Sequence, residues 1–275
     1  LKYLALILLV YVISAFVIKD FPWTQVLKDG FLPKLTFSKS QIILICGILG
    51  TTISPYLFFW ETSQEVEEKI SEGKGTIIQR QEVDKKEIKK MRLDVWTGMF
   101  FSNLVMFFII AVCAATLFRY GITNIETAAD AAMALKPLAG QYAYLLFAIG
   151  IIGTGLLAIP ILAGSASYAV SESLGWKEGL YLRFRQGIYF YGVIIFSMLI
   201  GLLINFIGIN PIKALIYAAV ANGLVAPVIL ILIVLMASNK KIMNSHHNSK
   251  LIKVLGWGAT SLMIIAGIAT IISFF

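Results

Sequence analysis

Oxygen donors gather around one proline in the stretch Gly50-Thr51-Thr52-Ile53-Ser54-Pro55-Tyr56, and a carboxylate, Glu61, follows shortly after. Pro55 lies inside an apolar run from Gln41 to Trp60. Proline has no N–H to give, so in a helix the carbonyl four residues earlier, that of Thr51, loses its partner. In lipid such a group costs several kcal/mol unless protein, water or an ion completes it. Broken helices at mid-membrane are where many secondary transporters hold a cation. The groups on offer are the Thr51 carbonyl, the Ser54 hydroxyl, the Tyr56 phenol and the Glu61 carboxylate. All are oxygens, and hard oxygen donors suit Mg, Ca and Mn, whereas softer sites use Cys, Met or His.

Other residues have plainer roles open to them. Glu61, Glu65, Glu68 and Glu72 have the spacing of one helical face. The last three read as a solvated helix end, but Glu61 lies within about two turns of the break, where a carboxylate is costly and usually functional. Ser165 and Ser167 could be ion ligands, although packing or backbone bonding is the commoner role of such serines. Pro160 frees the carbonyl of Leu156, and Pro227 frees that of Gly223, next to Asn222; a plain kink accounts for the latter. Cys46 and Cys113 are small apolar fillers, and His246 and His247 form a solvated pair in a loop. No P-loop, dinucleotide fingerprint or nucleophile–base pair occurs, so enzyme readings have no residue support.

The elements that position these residues are membrane spans. Hydrophobic residues make up 59% of the 275 and charged residues 14%, and the mean hydropathy is +0.84; a soluble domain carries nearer a quarter charged. Seven apolar stretches approach or exceed the length of a span, at about 2–18, 41–60, 95–118, 142–170, 188–207, 212–236 and 251–275. The fourth is tilted or runs beyond the membrane, and its small residues Gly150, Gly153, Gly155 and Gly164 allow close helix approach. A helical stretch is expected over about 81–92. The spacing Thr123-Asn124-Ile125-Glu126 predicts a capping box before a short helix Ala128–Leu135.

The net charge of +8 follows membrane orientation rather than nucleic acid. Fifteen Lys and Arg fall in the segments 61–94, 171–187 and 237–253, against seven in the opposite loops, with Lys2 outside both counts. The positive-inside rule makes the richer side, including the loop 61–94 and residue 1, cytoplasmic.

The quoted residues carry a family likeness. Gly50-Thr51-Thr52-Ile53-Ser54-Pro55-Tyr56 resembles the sixth-helix motif of the NRAMP family of divalent metal ion transporters. Gly153-Thr154-Gly155 through Pro160 to Glu172 looks like its eighth helix, and Asn210-Pro211-Ile212-Lys213-Ala214 with Asn222-Gly223 to Pro227 looks like the join into its tenth. The resemblance implies an all-α membrane protein with the LeuT-type inverted-repeat fold. About seven transmembrane helices would be present, from helix five onward, with the first repeat largely missing.

In that family a backbone carbonyl and a methionine three residues on hold the metal. Carried over, these fall on Thr51 and Ser54, with Gly50 and Pro55 as the helix break, and the family's two nearby histidines fall on Tyr56 and Glu61. Serine in place of methionine removes a soft ligand, which makes a harder cation plausible and resembles a methionine-lacking branch with which magnesium transport is associated. An aspartate that the family places on helix one has no counterpart, and no Asp occurs in any of the seven stretches.

The resemblance therefore implies a secondary transporter of Mn, Fe or Mg across the plasma (inner) membrane, with Tyr56 and Glu61 as a proton or cation relay and proton coupling left open. Asn222 and Ser165 would support the ligands. The metal is the substrate and no cofactor is expected; the partners are the divalent cation, the bilayer and the N-terminal helices of the same protein, with no nucleic acid. Two alternatives stay open: a transporter of the same fold for an organic substrate such as an amino acid, and a non-transporting membrane subunit. Glu61 argues against the first.

Overall fold

The computed structural model describes residues 9–19, 21–33, 35–81, 85–136 and 140–274. Every regular element among them is helical. In chain order these are α1 (Leu9–Val17), α2 (Trp23–Phe31), α3 (Lys39–Thr52), α4 (Pro55–Ser71), α5 (Ile77–Gln81), α6 (Lys85–Thr116), α7 (Ala128–Ala132), α8 (Ala143–Leu174), α9 (Ile188–Ile204), α10 (Pro211–Ser238), α11 (Lys240–Met243) and α12 (Lys250–Phe274). Among the described residues, five stretches are long and apolar enough to cross a membrane: Lys39–Ser71, Lys86–Tyr120, Gly140–Leu174, Pro211–Ser238 and Lys250–Phe274. Ile188–Ile204 is apolar but shorter. Of the expected span 2–18, residues 2–8 lie outside the described residues, as does Phe275 at the end of the last.

The chain divides into two compact units, one of residues 1–33 and 59–208, the other of 34–58 and 209–275. In the second, α3 packs against both α10 and α12, which also pack together. Glycines make the α3–α10 crossing possible. A Cβ on Gly50 would collide with the Ala219 carbonyl oxygen and come within 2.7 Å of the Gly223 Cα. One on Gly223 would meet the carbonyl oxygen of Cys46 at 2.5 Å. The two backbones therefore touch directly, the close approach that replaces hydrophobic drive in lipid. α10 begins with Asn210 as N-cap and Pro211 at its first turn; Asn210 Oδ1 accepts from the N–H of Ile212 at 2.9 Å and of Lys213 at 3.3 Å. Pro227 sits inside α10 without interrupting it.

In the first unit α1 packs on α6 around Ala15, Phe21, Phe108, Val112 and Ala115. α8, unbroken at Pro160, packs on α9. Its 32 residues extend about 48 Å at 1.5 Å per residue, beyond a hydrocarbon core of about 30 Å. Gly175, at φ +67°, ends it in the left-handed conformation, with the Trp176 N–H returning to the Ser171 carbonyl at 2.8 Å.

Two local expectations need correction. The capping box is one turn later than Thr123–Glu126: Thr127 Oγ1 accepts from the Asp130 N–H at 3.1 Å, and the Asp130 carboxylate accepts from the Thr127 N–H at 2.9 Å. Thr127 has the extended backbone an N-cap requires (φ −128°, ψ 158°); Glu126 accepts from the Asn124 side-chain amide instead. The resulting helix is α7, which continues only as a 3₁₀ turn over Met133–Leu135. The helical stretch expected over 81–92 is not separate from the next span, since α6 runs unbroken from Lys85 to Thr116.

Candidate functional site

The helix around Pro55 is interrupted. α3 stops at Thr52, Ile53 has a non-helical backbone (φ −104°, ψ 49°), and α4 resumes at Pro55. The local sequence explains the stop. Proline at a first helical position is pre-organised for the new helix and disfavours helical geometry in the residue before it. The hydroxyls of Thr51 and Thr52 both turn back onto the Ile48 carbonyl, each at 2.8 Å, a bonding pattern that weakens a helix end.

The Thr51 carbonyl does not accept a backbone N–H from Pro55. It accepts the Ser54 hydroxyl at 2.5 Å, and Ser54 is only 3% exposed. A carbonyl and a hydroxyl oxygen thus stand side by side at the carboxyl end of α3, where the helix dipole is negative. Each oxygen has a further lone pair to give. That is the chemistry of a partial site for a hard cation: two neutral oxygens, pre-positioned, with no nitrogen or sulfur.

The other residues singled out from the sequence are placed as follows. Gly50 is buried one turn before the break, facing α10, and Pro55 is buried. Tyr56 is half-buried in the first turn of α4, and Asn222 is half-buried on α10 beside Gly223. Glu61 is on α4 and exposed, and Ser165 is fully buried on α8; both belong to the other unit. Ser167 spends its hydroxyl on the Phe190 carbonyl at 2.6 Å, joining α8 to α9. Glu68 pairs with Lys90 at 3.2 Å and Glu72 with Lys74 at 3.8 Å, solvent-screened pairs that add little to stability. Lys74 is held above its ordinary pKa, chiefly by its hydrogen bond to Glu87. His247 Nδ1 lies 2.9 Å from the Asn244 carbonyl in its loop. Among the described residues no three His, Cys, Asp or Glu side chains come together as a metal cage.

Glu67 is a residue the sequence reading passed over. It lies off the Glu61–Glu65–Glu68–Glu72 face, and its Oε1 accepts from the Tyr168 hydroxyl on α8 and from the Leu180 N–H, at 2.7 Å, in the loop after it. Those partners are 101 and 113 residues away in sequence, so no local pattern could reveal them. Nearby, Trp60 packs on Gly164, whose added Cβ would stand 2.5 Å from the indole, and its ring meets Tyr168 edge-on at 6.1 Å. A cleft of about 430 Å³ opens beside Glu67, lined also by Arg80, Tyr168, Glu172 and Glu178. Glu178 has one carboxylate oxygen enclosed without a hydrogen-bond partner among the described residues. Burial first, and then the charges of Glu172 and Glu67, push its carboxyl above the usual carboxylate range.

Known proteins share this chain's sequence pattern. It is 25% identical over 261 residues to the divalent metal cation transporter MntH of Caldanaerobacter subterraneus subsp. tengcongensis, covering 95% of this chain and 57% of that protein. It is 25% identical over 260 residues to the MntH of Clostridium acetobutylicum, covering 94% and 55%. To that of Bacillus subtilis it is 23% identical over 273 residues, covering 98% and 60%. The chain thus spans little more than half the length of these relatives. The family profile described as natural resistance-associated macrophage protein-like matches residues 1–273. Nearly the whole sequence is matched, with apolar helices long enough for several membrane crossings, and this chain is a multi-pass membrane protein belonging to the Nramp family.

Proposed function

We propose that this chain forms part of a secondary transporter that moves divalent metal cations inward across the plasma membrane, with the loop 61–94 on the cytoplasmic side. The observation that carries this reading is the interruption at Ile53–Ser54, which sets the Thr51 carbonyl and the Ser54 hydroxyl next to each other at the end of α3. Relatives that share the chain's sequence are named as divalent metal cation transporters, which supports the same substrate class here.

In this reading a cation displaces the Ser54 hydroxyl from the Thr51 carbonyl and takes an oxygen from each. Breaking that hydrogen bond costs about 1 kcal/mol, small against the ion–dipole attraction that replaces it. Two neutral oxygens leave most of a six-oxygen shell unfilled. Water and other oxygen donors complete the shell in this reading. The all-oxygen donor set favours Mg and Mn over softer ions, with Fe as a further substrate. Tyr56 and Glu61, both on α4, carry protons or cations away from the site, and Asn222 supports the surrounding helices.

The experiment is uptake of Mn, Fe and Mg into proteoliposomes containing the intact gene product, with and without a proton gradient. Saturable uptake of at least one of the three is expected. Uptake of an amino acid with none of the metals would transfer the assignment to an organic-substrate transporter. Glu61→Gln should reduce uptake and flatten its pH dependence; if both stay unchanged, the relay role of Glu61 is wrong.

A further inference from the structure

We propose that Glu67 is a positioning residue for transport, a clamp whose one carboxylate oxygen fastens α4 to α8 and to the loop that follows α8, so that the neighbouring cleft opens when the clamp lets go. This rests on the transporter reading above. Glu67 Oε1 takes both the Tyr168 hydroxyl and the Leu180 N–H, and the Leu180 N–H also lies 3.3 Å from the Tyr168 oxygen, closing a three-membered network. Both bonds end on one carboxylate oxygen, so both would be lost together if α4 moved away.

The loop is shaped to make the clamp. Gly179 has φ +132°, a conformation L side chains rarely adopt, and a Cβ there would collide with the Tyr181 ring and stand 3.1 Å from Glu67 Oε1. Only glycine lets the Leu180 N–H reach the carboxylate. The loop is secured to α9 on its other side: the Tyr191 hydroxyl donates to the Leu182 carbonyl at 2.8 Å and lies 3.2 Å from that of Leu180. The Ser167 hydroxyl ties α8 to α9 in turn. Loop, α8 and α9 are therefore bonded to one another independently of Glu67, and α4 is the element that the clamp adds or releases. The cleft it borders is polar and acidic, suited to water and cations rather than lipid.

Hydrogen exchange of the intact gene product in lipid nanodiscs tests the clamp without any transport assay. Glu67→Ala and Tyr168→Phe should speed exchange in the segment containing Leu180 by about tenfold or more. Glu67→Gln, whose amide oxygen can still accept both bonds, should stay within about twofold of the unaltered protein. Unchanged exchange in Glu67→Ala, or a Gln variant as fast as the Ala variant, overturns the clamp. In manganese uptake, Glu67→Ala should lower the maximal rate several-fold with the half-saturating concentration unchanged, because Thr51 and Ser54 are untouched. An unaltered maximal rate overturns the role in transport. If the unaltered protein moves no divalent metal, the transporter reading fails and the exchange result still decides whether the clamp exists.

Discussion

The Ser54 hydroxyl donates to the Thr51 carbonyl across the helix interruption at 2.5 Å, so the two oxygens assigned to the cation are each other's hydrogen-bond partners. The bond solves the problem that Pro55 creates, an orphan carbonyl at a helix end. It also orients both oxygens before any ion arrives. The helix end and the proposed cation site thus draw on the same pair of atoms.

Replacing Ser54 by Met removes a hard donor and supplies a soft one at the same place. The expected outcome is a shift in preference toward Mn and Cd over Mg, read from competition uptake with the three ions. An unaltered selectivity profile would count against Ser54 as a ligand.

The α3–α10 crossing depends on backbone contact. Gly50→Ala places a methyl against the Ala219 carbonyl and the Gly223 backbone, neither of which can swing aside, and should destabilise the protein by about 1–3 kcal/mol. Gly47→Ala is the control. Its Cβ would rest at 3.6 Å from Val220 Cγ2, an ordinary contact, so thermal unfolding in detergent should leave it near the parent value. Equal midpoints for both variants would show that the helices are not in contact at Gly50.

Thr127 caps α7, and Thr127→Ala should loosen that helix by about 1 kcal/mol, visible as faster amide exchange over 128–132. The Thr127 hydroxyl first, then its N–H, hold Asp130 below the usual carboxylate range. A depressed folded pKa contributes stability above the unfolded value and loses it as pH falls through the folded one. Protection of α7 should therefore persist at neutral pH and disappear in acid below the usual carboxylate range, and should change far less with pH in Thr127→Ala.

Glu178 has the opposite sign. Its folded pKa is raised, so the protonated form is favoured and its contribution to stability falls as pH rises through the folded value. Glu178→Gln should raise the unfolding temperature at neutral pH and leave it unchanged at a pH low enough to protonate Glu178. A stabilisation equal at both pH values would assign the effect to something other than the buried charge.

Fold class and the weak point at Pro55 were legible because each depends on nearby residues. Long apolar stretches need only composition, and the consequence of a missing N–H is confined to one turn of helix. Elements set by competition between neighbours were less legible. Thr123 and Thr127 offer the same cap chemistry, and the extended backbone at Thr127 decided between them. Polar residues 85–94 gave no signal that they continue into an apolar helix, since a helix leaving the bilayer changes its solvent and not its geometry. Glu67 was invisible for a different reason. Its role is made by Tyr168 and Leu180, which only the folded chain brings near, and the regular face of four glutamates drew attention to the wrong side of the helix.

If Thr51 and Ser54 hold a divalent cation, calorimetric titration of manganese into the intact gene product, unaltered and with Ser54→Ala, will show it. Saturable binding to the unaltered protein is expected, with an affinity at least about tenfold weaker in the variant, the equivalent of about 1.4 kcal/mol for one lost oxygen ligand. Identical affinities for the two proteins, or no binding of manganese or magnesium to the unaltered one, would contradict it.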